Sequence, residues 1–94
     1  MVFRPEAERD LTEAYGWYED QRVGLGEEFL SCVEAAIESV KRNPEMYERL
    51  HGEVRRVLTR RFPFGIFFIF EGNQIVVISV FHASRDPKKW EDLQ

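Results

Sequence analysis

The sequence predicts an α+β fold with its elements in the order β-α-α-β-β-β, and three observations carry that expectation. Two stretches in the first half, about Pro5 to about Gln21 and from near Leu25 or Gly26 to Arg42, place apolar residues at helical spacing. Two apolar runs in the second half, Phe62–Phe70 and Ile75–Phe81, are rich in aromatic and β-branched residues and flank Glu71-Gly72-Asn73, the pattern of a β-hairpin. Between helices and hairpin lies a strand-like piece with four arginines, Arg55, Arg56, Arg60 and Arg61.

Met1–Arg4 is short, and Phe3 needs a sheet to pack on, so an edge strand is expected. Pro5 suits the first turn of a helix, where its missing N–H is no loss. Glu6, Glu8 and Asp10 favour the positive end of the helix dipole. Ala7, Leu11, Ala14, Tyr15 and Tyr18 form one apolar stripe. Gly24 and Gly26 punctuate the chain before a second helix. That helix has Glu27 and Glu28 in its first turn, Lys41 and Arg42 in its last, and Phe29, Val33, Ala36, Ile37 and Val40 on its buried stripe. Asn43-Pro44 ends it, because a residue before proline avoids the helical region. The short connection predicts an antiparallel helix pair. Pro44–Glu53 is polar and is expected to be a loop anchored by Tyr47 and Leu50.

Alternation places Phe64, Ile66, Phe68 and Phe70 on one face of the third strand, and Gly65, Phe67 and Ile69 on the other. In the fourth strand it places Val76, Ile78 and Val80 on one face, and Ile75, Val77 and Phe81 on the other. Two helices cover one face of such a sheet well. A sheet apolar on both sides is normally covered on both, so either the tail folds back over the second face or a partner chain covers it.

Length and charge narrow the function. The 94 residues are expected to form one domain, 1–94, too small for a large enclosed pocket. The net charge of −4 hides an asymmetry: residues 1–53 carry 6 Lys/Arg against 13 Asp/Glu, and residues 54–94 carry 7 against 4. The cationic half suits a phosphate group or an acidic protein segment. The acidic whole argues against sequence-blind nucleic-acid binding, which is driven by phosphate neutralisation. Cys32 is the single cysteine, so no internal disulfide forms, in keeping with a reducing compartment. No apolar run is long enough to span a bilayer, and no secretion signal opens the sequence; a cytoplasmic protein without membrane contact is predicted.

Little of the chain has the spacing of a catalytic motif. One Cys and two His, His51 and His82, lack metal-ligand spacing, and no phosphate-binding glycine loop follows a strand; neither metal nor cofactor is expected. Cys32 beside an apolar stripe reads as packing. Within one strand, Arg56 and Arg60 would point to one face and Arg55 and Arg61 to the other, as solvated or ion-paired charges or as phosphate or carboxylate ligands. His82 ends the fourth strand, where it serves either as a surface residue holding the tail or as a general acid. Arg85-Asp86-Pro87 has the composition of a turn, with Trp90 packing the tail.

The ordered set Phe3-Arg4-Pro5 with Asp10-Leu11, Trp17-Tyr18, Gly24-Leu25-Gly26, Val54-Arg55-Arg56, Phe62-Pro63-Phe64, and His82 with Arg85-Asp86-Pro87 and Trp90 resembles the RelE/ParE superfamily of bacterial toxins over nearly the whole chain. Such toxins belong to type II toxin–antitoxin modules and are also labelled plasmid stabilisation proteins. The resemblance implies a helical hairpin packed on one face of a mainly antiparallel, twisted sheet. It also implies a cognate antitoxin whose C-terminal segment wraps the toxin in a hetero-oligomer and blocks growth inhibition.

The superfamily divides into two activities. ParE-like members poison DNA gyrase without catalytic residues. RelE-like members are metal-independent endoribonucleases that cut mRNA on the ribosome with basic side chains. For nuclease action the resemblance singles out His82 as acid, Arg56 and Arg61 as phosphate ligands, and Arg85 beside them. Phe64-Gly65 stands where nuclease members commonly place a basic residue, and Trp90 where many have tyrosine. The tail and the acidic charge are more ParE-like. The first expectation is therefore a toxin that binds a housekeeping target such as gyrase. A ribosome-dependent endoribonuclease, and an inactive homologue that only binds antitoxin, are the alternatives.

Overall fold

The computed structural model describes residues 2–47 and 49–82. Strand β1 (Val2–Phe3) leads into helices α1 (Pro5–Gln21) and α2 (Leu25–Arg42). A 3₁₀ turn at Pro44–Met46 follows, then β2 (Arg49–His51), β3 (Val54–Leu58), β4 (Phe64–Glu71) and β5 (Gln74–His82). The five strands form one sheet in the order β1-β5-β4-β3-β2. β1 runs parallel to β5, and the other neighbours are antiparallel. The α+β class and mainly antiparallel sheet are as expected. The difference is an extra short strand, β2, inside the segment read as a loop: Arg49 and His51 pair with Arg55 and Val54. Three residues are too few for an alternation signal. Tyr47 and Leu50 do anchor the segment, Tyr47 on the helix-side core and Leu50 on the opposite side.

The helical hairpin is closed by a carboxylate rather than by a local cap. Gly24, at φ +92°, begins α2 with no side-chain cap of its own. Glu19 of α1 reaches across, and its Oε1 accepts the N–H groups of Gly24 and Gly26 at 2.8 and 2.9 Å. These are amides that a helix start leaves without intrahelical partners. A Cβ on Gly26 would lie 2.8 Å from Glu19 Cγ and from the Tyr15 ring, so only glycine permits this approach. Tyr15 Oη adds a bond to Glu27 Oε1 at 3.0 Å, and that bond, with burial behind it, raises the phenol pKa.

The main core lies between hairpin and sheet. Ala7, Ala14 and Tyr18 of α1 and Phe29, Val33, Ile37 and Val40 of α2 meet Val57, Phe64, Ile66, Phe68, Val77 and Val80. Its aromatic centre joins Tyr18, Phe29, Phe62 and Phe64, with ring centroids 4.7 to 6.1 Å apart. Val54, Phe67, Ile78 and Phe81 form a second cluster on the other side of the sheet. The chain itself buries these four, so the centre of the second face is not the open surface that strand composition alone allowed.

The alternation expected for β5 fails at one point. Phe67 pairs with Ser79 and Phe68 with Val77, so Ile78 is skipped and β5 bulges. Beyond the bulge the phase reverses. Val80 joins Ile75 and Val77 on the helix side, and Phe81 joins Ile78 on the other. Just past the bulge, Asp10 of α1 binds β5. Its Oδ2 accepts the Ser79 hydroxyl and the Val80 N–H, the latter at 2.9 Å. Replacing Asp10 by alanine strands a buried hydroxyl and a backbone N–H. Urea unfolding should show a loss of about 2–3 kcal/mol, and a smaller loss for Asp10→Asn, which keeps an acceptor oxygen.

Candidate functional site

The cationic residues singled out from the sequence do not gather at one place. β3 ends at Leu58, so Arg60 and Arg61 sit in the turn to β4 and do not alternate with Arg55 and Arg56 as members of one strand. Buried Thr59 organises that turn. Its Oγ1 donates to the Phe62 carbonyl and accepts the Phe64 N–H at 3.2 Å. Arg61 lies over the Phe62 ring at 5.3 Å and pairs with Glu28 at the start of α2. Arg22 holds the other oxygen of Glu28 at 2.8 Å. These bonds, from Arg22 first and then Arg61, lower the Glu28 pKa from its ordinary value of 4.5.

Arg55 and Arg56 part across the sheet. Arg55 stands opposite Phe68 on the helix side, lies over Phe70 at 5.4 Å and donates to the Tyr47 carbonyl. Arg56 stands opposite Phe67 on the other side, exposed, with its stem laid over Gly65, where an added Cβ would come within 3.2 Å of Arg56 Cδ. His82 pairs with Phe64 and packs edge-on against its ring at 5.3 Å, half-buried on the helix side. His82 and Arg56 are thus on opposite faces, and Arg61 is engaged by Glu28. Arg85 lies outside the described residues.

A groove that the sequence did not single out runs between α2 and β3. It measures about 630 Å³ and is lined by Cys32, Ala35, Met46, Tyr47, Leu58 and Arg60, among others. A smaller recess of about 280 Å³ adjoins it, sharing Met46, Tyr47 and Leu58 and adding Leu50 and Arg56. Met46 and Leu58 are 68% and 54% exposed, high for large apolar side chains. β2 pairs only with Val54 and Arg55, so among the described residues no strand flanks the outer side of β3 from Arg56 to Leu58. Arg42, Arg56 and Arg60 rim this apolar strip, and among the described residues Glu38 is the one carboxylate lining the groove. The available signal was Leu58, an apolar residue out of phase with Val57. Met46, in a polar stretch, carried none.

Among the described residues no group of three or more His, Cys, Asp or Glu side chains is placed to hold a metal ion, and no helix is long and apolar enough to cross a membrane. A family model described as the ParE toxin of the type II toxin–antitoxin system parDE matches residues 1–87. The chain belongs to that family. Among solved structures, a chain of the chromosomal ParDE TA system from P. aeruginosa shares the fold with a TM-score of 0.65 and 21% identity, covering 88% of this chain and 94% of that one. No curated protein matches the sequence.

In this ParE-family chain the Arg22–Glu28–Arg61 bridge ties the hairpin to the turn before β4. Because the folded-state pKa of Glu28 is depressed, its contribution is present above the unfolded value and is lost as pH falls through the folded one. Urea midpoints followed downward from neutral pH through pH 4.5 should therefore decline less steeply for Glu28→Gln than for the wild type.

Proposed function

We propose that this chain is a toxin that arrests bacterial growth by binding a protein target such as DNA gyrase in the cytoplasm, and that a cognate antitoxin silences it from the groove between α2 and β3. The observation that carries the choice of a protein target is the dispersal of the cations. A phosphate-cleaving site needs its acid and phosphate ligands around one reacting atom. His82 and Arg56 stand on opposite faces, while Arg61 is held by Glu28. ParE-family membership supports the toxin assignment itself. Ribosome-dependent mRNA cleavage by His82, Arg85, Arg56 and Arg61 is the reading against which this one is tested.

The groove supports the antitoxin part. Exposed Met46 and Leu58 favour an apolar anchor, and the rim of Arg42, Arg56 and Arg60 favours an acidic flank. On induction in a bacterial host, His82→Ala and Arg56→Ala variants should arrest growth as the wild type does, with broken chromosomes and intact messages. Cut messages from the wild type, abolished by either substitution, would decide for the nuclease. Leu58→Glu or Met46→Glu should weaken antitoxin binding at least about tenfold in titration calorimetry, with the circular dichroism spectrum unchanged.

A further inference from the structure

Trp17 is a large aromatic that the core does not use. Its neighbour Tyr18 is buried among the core rings, whereas Trp17 is 60% exposed and held edge-on to Tyr18, with centroids 5.1 Å apart at 85°. Beside it a recess of about 220 Å³ opens between α1 and the sheet, lined by Asp10, Glu13, Ala14, Trp17, Phe64 and Val80. Ala14, Phe64 and Val80 make its wall apolar, and the indole and two carboxylates make the remainder electron-rich. Asp10 is committed to the bulge of β5 through Oδ2. Glu13 is exposed and forms no ion pair among the described residues.

These features fit one kind of occupant. A lysine or arginine side chain has an aliphatic stem for the apolar wall and a cationic head for the Trp17 face and the Glu13 carboxylate. The volume is below the roughly 300 Å³ at which small-molecule pockets begin, so one side chain fits better than a whole metabolite. Phosphate is disfavoured by both carboxylates. β5 and β4 border this recess while β3 borders the antitoxin groove, so the two surfaces lie toward opposite edges of the sheet.

We propose that the Trp17 recess is a contact surface for the toxin's protein target and receives a lysine or arginine side chain from it; this rests on the reading of the chain as a toxin with a protein target. Exposed tryptophans in pockets are frequent binding hot spots, which gives the magnitude. The test compares wild type, Glu13→Arg, Glu13→Gln and Trp17→Ala in growth arrest on induction, in antitoxin affinity and in urea unfolding. Binding to purified DNA gyrase is measured alongside. Glu13→Arg and Trp17→Ala should relieve growth arrest and weaken any gyrase binding by at least about tenfold, Glu13→Gln by less, with antitoxin affinity and unfolding midpoint unchanged.

Full toxicity in both Glu13→Arg and Trp17→Ala overturns the recess while the toxin reading stands. A wild type that leaves growth unaffected removes the reading, and the recess's role with it. Loss of toxicity that tracks a loss of message cleavage also overturns the proposal, since the occupant would then not belong to a protein target.

Discussion

Asp10 is the contact on which the geometry of this molecule depends. One carboxylate oxygen accepts both the Ser79 hydroxyl and the Val80 N–H, and so joins the first helix to the strand that comes last among the described residues. The bond is long-range in sequence and charge-assisted, the kind that contributes most and costs most when broken. It stabilises a bulge, and the bulge decides which side of the sheet each later residue of β5 faces. Val80 turns to the helices, Phe81 away from them, and His82 back toward Phe64.

The same bond also protects the sheet. β1 pairs with only two residues of β5, which leaves the outer side of that strand from Ile78 onward without a strand neighbour among the described residues. Bulges, and cover by a helix, are recognised ways to keep such an edge from pairing with another chain. At the opposite side, among the described residues, β3 beyond Arg55 has no comparable device. There the chain presents Leu58, Met46 and a rim of arginines instead. The two margins of one sheet are thus treated differently: one carries a bulge bound by a helix carboxylate, the other an apolar strip rimmed by arginines.

Charge follows a similar division. The acidic first half is not merely a solvated helical surface: Glu19 closes the hairpin, Glu28 binds two arginines, and Asp10 holds the bulge. The arginines of the second half are separated by the pleat and by the early end of β3. Arg55 is drawn under the helices, Arg56 lies across Gly65, and Arg61 is taken up by Glu28. Glu13 remains outside these bonds, beside an exposed indole, where its charge is available to a partner.

Sequence alone determined both helices to the residue or nearly so, because Pro5, the Gly24–Gly26 turn and Asn43-Pro44 mark their ends with local backbone chemistry. It also determined the β4–β5 hairpin and the two-sided apolar character of β4, since these follow from short-range alternation. Only the tertiary structure decided the three-residue strand β2, the phase change at Ile78, the separation of His82 from Arg56, and the groove at Leu58. Each of these depends on what lies across from a residue rather than beside it. A bulge appears only when two strands are counted against each other, and a carboxylate in α1 becomes its partner only when the fold closes about 70 positions of chain between them.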